Sequence, residues 1–186
     1  MKNTRIITIG AMFMAIILVM ALVPYLGYIQ INLVAVTIIH IPVLIGSMAF
    51  KNVRMAIICG TTFGVSSWIV AMTRPSSPTD FIFQNPLVSI LPRILFALLA
   101  FYLFVYLMKK VKSVYAASLT STIIACIFHT CSVLGMMYLF GDKSLFPGGF
   151  FNLLLGVVAA NGWIEVVLAA IVVPPVVKAL GGLRKI

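Results

Sequence analysis

The stretch "NPLVSILPRILFALLAF", residues 85–101, reads as a helix that enters a membrane and takes an arginine with it. Asn85 is a good N-cap, and Pro86 suits a first turn, where its missing N–H is no loss. Arg93 lies about 10 Å deeper, at 1.5 Å per residue. A charge near mid-bilayer costs on the order of 3 kcal/mol on insertion scales, so Arg93 must face a partner or water. Pro92 has no amide to give and frees the carbonyl of Val88, loosening the helix where the charge emerges. Two readings fit. Arg93 is the cation at the floor of an outward-facing pocket, meeting a carboxylate or polar ligand, or it is half of a structural ion pair with Glu165.

The rest of the chain supports the membrane reading. Of its 186 residues 63% are hydrophobic and only 9% charged, with a mean hydropathy of +1.21. Soluble domains run near a quarter charged, so this is an integral membrane protein. The formal charge of +10 would suggest nucleic acid in a soluble protein. Here the cations sit between apolar runs, where membrane topology accounts for them and no nucleic-acid partner is implied. Asp80, Asp142 and Glu165 are the only acids, too few for a hydrolase, a phosphotransferase or a carboxylate-metal site. Cys59, Cys126 and Cys131 lie in apolar segments without CxxC or Cys/His ligand spacing, as buried free thiols would.

Apolar runs of roughly bilayer-crossing length recur at about 5–23, 33–50, 54–72, 86–108, 114–140 and 154–178. Backbone polar groups cannot stay unpaired in lipid, so each run is expected to be a helix. The first follows a basic start but lacks a small-x-small cleavage site, and reads as a retained helix rather than a signal peptide. The expectation is one all-α domain over 1–186, a bundle of six transmembrane helices with both termini on one side. Ten cations (Lys2, Arg5, Lys51, Arg54, Lys109, Lys110, Lys112, Lys178, Arg184 and Lys185) fall on one face. Arg74 and Lys143 fall on the other, so the positive-inside rule puts both termini in the cytoplasm. The links on the basic side are short. Those opposite, at 24–32, 73–85 and 141–152, are longer and rich in Pro, Gly and aromatics, which suits ordered caps over a cavity, although plain connectors are the simpler alternative. No internal repeat is visible, so a two-fold carrier gains no support.

Other polar residues reach membrane depth. In the last run Asn161 and Glu165 are one helical turn apart and share a face, either as a site or as helix glue, while Trp163 points elsewhere as a lipid or interface anchor. In the fifth, Ser118, Thr122, Cys126, His129 and Ser132 step along one stripe. Ser118 and Thr122 suit close helix packing, and His129 lies near enough to the outer side to reach a ligand. His40, beside Pro42, reads better as a structural hydrogen-bonding histidine. Asn32 and Asn85 add amides at the outer end. "GVSSW" (64–68) is not a GxSxG elbow, and the chain has no P-loop and no haem-ligating histidine pair, so no catalytic residue, metal or cofactor is expected.

At this point the chain resembles a family. "AMFMA" in the first helix puts Ala11 and Ala15 on one face, a small-xxx-small contact that lets a foreign helix come close. With it come "NLVAVTIIHIPVLIGSMAF", "GTTFGVSSWI", "NPLVSILPRILFALLA" and "VVAANGWIEVVLAAIVVPPVV", in this order over nearly the whole chain. Together they resemble the substrate-binding S components of energy-coupling factor (ECF) vitamin transporters, in the branch that handles pantothenate, pyridoxine-type and hydroxymethylpyrimidine precursors. The resemblance implies a bacterial cell-membrane protein that binds a vitamin in an outward pocket and topples in the bilayer. It would be held through Ala11 and Ala15 by a transmembrane coupling subunit and driven by two cytoplasmic ABC ATPases. The missing nucleotide motif fits that division of labour. Asn32, Asn85, Arg93, His129, Asn161 and Glu165 are the expected substrate-binding residues. Pantothenate is favoured because it is a carboxylate and Arg93 a cation near a helix N-terminus. Pyridoxine or hydroxymethylpyrimidine follows if Glu165 neutralises Arg93. A self-standing carrier or a structural membrane subunit is the reading outside this class.

Overall fold

The computed structural model describes residues 3–31, 34–75 and 78–182. The chain runs through α1 (Asn3–Leu22), a hairpin of β1 (Tyr28–Ile31) and β2 (Val34–Thr37), α2 (His40–Ala49) and α3 (Val53–Thr73). A 3-10 helix (Pro78–Gln84) leads into α4 (Pro86–Val111), followed by α5 (Val114–Phe140) and a short 3-10 turn (Lys143–Leu145). The last run is α6 (Gly149–Val157), a π turn (Val158–Gly162) and α7 (Trp163–Gly182).

Among the described residues five helices are long and apolar enough to cross a membrane: α1, α3, α4, α5 and α7. Their outer faces expose large apolar side chains such as Ile7, Val19, Ile127 and Ile171, as lipid contact requires. Local signals start the helices. Asn52 accepts from the Arg54 amide at 2.9 Å, Asn85 from Leu87 at 3.0 Å, and Ser113 from Ala116 at 3.3 Å. Lys109 and Lys110 sit in the last turn of α4, where a cation complements the helix dipole.

The second and sixth apolar runs do not form the single helices expected of them. Residues 33–50 divide into strand β2 and the ten-residue α2. The first half is β-branched (Val34, Val36, Thr37, Ile38, Ile39), which favours extended backbone. Pro42 costs least in a first turn, where its missing N–H is no loss, and the helix begins just before it. At 1.5 Å per residue α2 reaches roughly half-way across a hydrocarbon core of about 30 Å. Every residue of α2 is buried, packed among α1, α3, α4 and α7. The sixth run is interrupted by the π turn at "VAANG", where Asn161 and Gly162 have low helix propensity. The antiparallel hairpin pairs Tyr28 with Thr37 and Ile31 with Val34, and it packs against the π turn and α7.

The bundle therefore has a hairpin end and a lysine end. At the hairpin end Trp68 donates to the Gln84 carbonyl at 2.9 Å and Gln84 to the Ala71 carbonyl at 3.1 Å, which ties the 3-10 helix to α3. Ser89 donates to the Phe83 carbonyl. Phe146 joins Val88, Leu134 and Met137 in an apolar cluster beneath the last loop. The described residues of these two loops thus pack onto the hairpin end of the bundle. Asp142 caps the short 3-10 turn, and hydrogen bonds from Ser144 hold its carboxyl below the usual range. The main core, with Phe63, Phe96, Phe104, Leu44 and Met48, fills the middle.

Candidate functional site

Arg93 is positioned by a close helix contact. Gly60 and Gly64 of α3 lie four residues apart and face α4. A Cβ on Gly60 would stand 2.8 Å from the Ala97 Cβ and 3.0 Å from the Arg93 carbonyl oxygen; one on Gly64 would stand 2.7 Å from the Ile90 Cα. Bare backbone on α3 thus lets α4 press in at the turn that holds the arginine. There Arg93 Nη1 donates to the Val88 carbonyl at 2.8 Å, the group Pro92 leaves without its helical partner. The guanidinium also lies 5.0 Å from the Phe83 ring centre and 5.8 Å from that of Phe63. A charge-assisted hydrogen bond of about 2 kcal/mol and ring contacts of about 1 kcal/mol each offset the roughly 3 kcal/mol insertion cost. The protein's own groups can therefore hold the charge, which is 7% exposed.

Phe63 also leads to the next group. His129 of α5 stacks 5.7 Å from Phe63 and 4.7 Å from Phe96. It lies within electrostatic reach of Arg93 and of His40. His40 opens α2, is 3% exposed, and lies beside the backbone of Thr37 and Glu165. Glu165 Oε1 accepts from the Thr37 amide at 2.6 Å, which ties α7 to the end of the hairpin. Among the described residues the Nε2 atoms of His40 and His129 and the Oγ1 of Thr122 are buried without a hydrogen-bond partner. The N-terminus of α2 has no side-chain cap either. The interior at the hairpin end thus combines a guanidinium, two imidazoles with an open nitrogen each, and a half-helix N-terminus favourable to negative charge.

The hydroxyl stripe sorts into two kinds. Ser118 donates to the Val114 carbonyl at 2.8 Å and Ser132 to the His129 carbonyl at 3.0 Å. Each is satisfied by its own helix and serves packing. Thr122 and His129 are different, because their buried polar atoms remain open.

Of the expected site residues, Arg93 and His129 are brought together, joined by the Phe63 ring. Glu165 lies in the same interior but binds the hairpin, and Asn85 uses its side-chain oxygen on its own helix cap. Asn32 lies outside the described residues, and Asn161 is placed by its backbone in the π turn, its side chain outside the description. Ala11 and Ala15 are exposed on the outer face of α1. His40, Thr37, Phe63, Phe83 and Phe96 were missed as site residues. The pair Gly60 and Gly64 was readable as a close-contact motif; the aromatics were indistinguishable from core in a chain with 13 Phe. Cavities of about 250 Å³ and 230 Å³ lie elsewhere, and neither is lined by Arg93, His40 or His129. The larger is at the lysine end and the smaller between α4 and α5, around Pro92 and Ser132.

The arrangement holds no carboxylate pair and no nucleophile–base pair, and among the described residues no cluster of three metal-ligating side chains. Its guanidinium and imidazole nitrogens are groups that can hydrogen-bond a small polar or anionic molecule. A relative named pantothenate transporter PanT, from Leuconostoc mesenteroides subsp. mesenteroides, is 37% identical over 102 residues. The matched stretch is 53% of this chain and about half, 50%, of that relative's length. The model of the family "ECF transporter, substrate-specific component" matches residues 5–177, from the first turns of α1 to the end of the core in α7. The chain belongs to that family of ECF transporter substrate-specific components.

Proposed function

We propose that the protein binds a water-soluble vitamin, pantothenate by preference, from the outer side of a bacterial cell membrane and delivers it for ATP-driven import by partner subunits. The observation that carries this reading is Arg93, buried at the hairpin end within electrostatic reach of His129, which in turn reaches His40 at the uncapped start of α2. A guanidinium offers five N–H donors in a planar fork that matches a carboxylate. The open nitrogens of His40 and His129 suit the hydroxyl and amide hydrogens of such a ligand. The name of the partial relative points the same way. In this reading 1–186 is one domain crossing six times, with α2 and the strand before it as the second crossing and both termini in the cytoplasm. The exposed Ala11 and Ala15 give a coupling subunit a flat helix face, and two cytoplasmic ATPases supply the energy. Asn32 and Asn161 complete the binding set.

The second reading is a neutral vitamin, pyridoxine or hydroxymethylpyrimidine. It rests on the carbonyl and ring contacts that already accommodate Arg93 without a ligand. Calorimetry of the purified protein with all three compounds separates the two. The first reading expects tight binding of pantothenate that Arg93→Ala weakens at least a hundredfold. Tight binding of a neutral vitamin, unchanged in Arg93→Ala, replaces it with the second. Binding of none, by a protein that still folds, rejects both.

A further inference from the structure

We infer that the cavity at the lysine end binds the headgroup of an anionic phospholipid. This cavity of about 250 Å³ is lined by Ala49, Lys51, Phe104, Val114, Val177 and Lys178, contributed by the end of α2, the α2–α3 link, α4, the start of α5 and α7. Two amines above apolar walls match a phosphodiester with acyl chains below it, the pattern of basic pockets between transmembrane helices. Val114 is the first residue of the 27-residue α5, so the positive end of that helix dipole faces the same space.

The charge balance makes the case sharper. At the hairpin end the cations are matched within the chain: Arg74 donates to the Leu22 carbonyl at 2.7 Å and Lys143 to the Tyr138 carbonyl at 2.7 Å, each near a helix C-terminus. At the lysine end no side-chain acid is available, since Asp80 and Asp142 lie in loops at the opposite end and Glu165 in the first turn of α7. The Lys51 amide donates to the Met48 carbonyl at 3.4 Å, but among the described residues neither the Lys51 nor the Lys178 ammonium has a hydrogen-bond or ion-pair partner. Lys51 also has φ +47°, a left-handed conformation that glycine or asparagine adopts at less cost. A lysine is nevertheless present where the link turns, and its side chain lines the cavity. Both side chains are exposed, so an anion from outside the chain can reach them. Free phosphate has the same oxygens but nothing to place against Phe104 and Val177, so the walls favour a lipid. The inference is independent of the vitamin reading and of which leaflet this end occupies.

The test is thermal unfolding and native mass spectrometry of the protein in a nonionic detergent, with phosphatidylglycerol, phosphatidylcholine or inorganic phosphate added. Phosphatidylglycerol alone is expected to raise the midpoint by several degrees and to leave one retained lipid. Lys51→Gln with Lys178→Gln weakens that retention at least tenfold, while Lys109→Gln with Lys110→Gln, outside the cavity, leaves it unchanged. Equal effects of phosphatidylcholine or of free phosphate overturn the assignment. So does equal loss in both double variants, which would mean a diffuse basic surface. A single Lys178→Gln variant gives the same reading if the double variant does not fold.

Discussion

At Arg93 a proline and an arginine, adjacent in sequence, settle each other's problem. Pro92 leaves the Val88 carbonyl without its helical donor, and the next side chain supplies one. This pairing explains how the charge is held, and His129 is where recognition is best isolated from folding. His129→Phe keeps the stack between Phe63 and Phe96 but removes the open nitrogen. Calorimetry should find binding weakened by about 1–3 kcal/mol, roughly fivefold to 150-fold, with the unfolding midpoint nearly unchanged. Loss of folding with no separate loss of binding would make His129 structural. Glu165 is expected to behave in the opposite way. Glu165→Gln retains an oxygen for the Thr37 amide and should leave stability close to wild type. Glu165→Ala leaves that part-buried amide unpaired and should cost about 1–3 kcal/mol in denaturation measurements.

At the scale of elements, the α3–α4 contact decides where Arg93 sits. Gly64→Ala places a methyl group 2.7 Å from the Ile90 Cα, backbone that cannot move aside cheaply. It should destabilise by about 1–3 kcal/mol and weaken ligand binding with it. Gly135→Ala, with no atom within 4 Å, should be neutral or slightly stabilising, about 1 kcal/mol at most. Thermal unfolding of the two variants side by side checks both. The same elements mark what the sequence could and could not convey. Long apolar runs with Asn85, Asn52 and Ser113 at their starts are local signals, and α1, α3, α4 and α5 follow from them. Residues 33–50 misled because an apolar strand leading into a half-helix and a full span share one composition, and only the β-branched run and Pro42 told them apart. Arg93 was legible because a charge in lipid is costly wherever it stands. His40 was not, since its role depends on α2 stopping half-way, a property of the packing among four other helices.

For the whole molecule, the contrast between a lysine end and a capped hairpin end is the basis of the orientation. In a cysteine-free background, Lys143→Cys should react with a membrane-impermeant maleimide on intact cells, and Lys110→Cys only after the membrane is opened. The reverse pattern would invert the protein and place the Arg93 interior toward the cytoplasm. Vesicles containing this chain alone should bind but not accumulate the vitamin, since no nucleotide-binding motif is present to drive import. The central claim is that Arg93 meets a carboxylate. It is tested most directly by a cycle of two proteins and two ligands: wild type and Arg93→Gln, each titrated with pantothenate and with its neutral alcohol analogue. The account predicts that wild type prefers the carboxylate by about 2–5 kcal/mol, thirtyfold or more, and that Arg93→Gln abolishes the preference. Equal affinity of wild type for both ligands, or a preference that survives in Arg93→Gln, would contradict it.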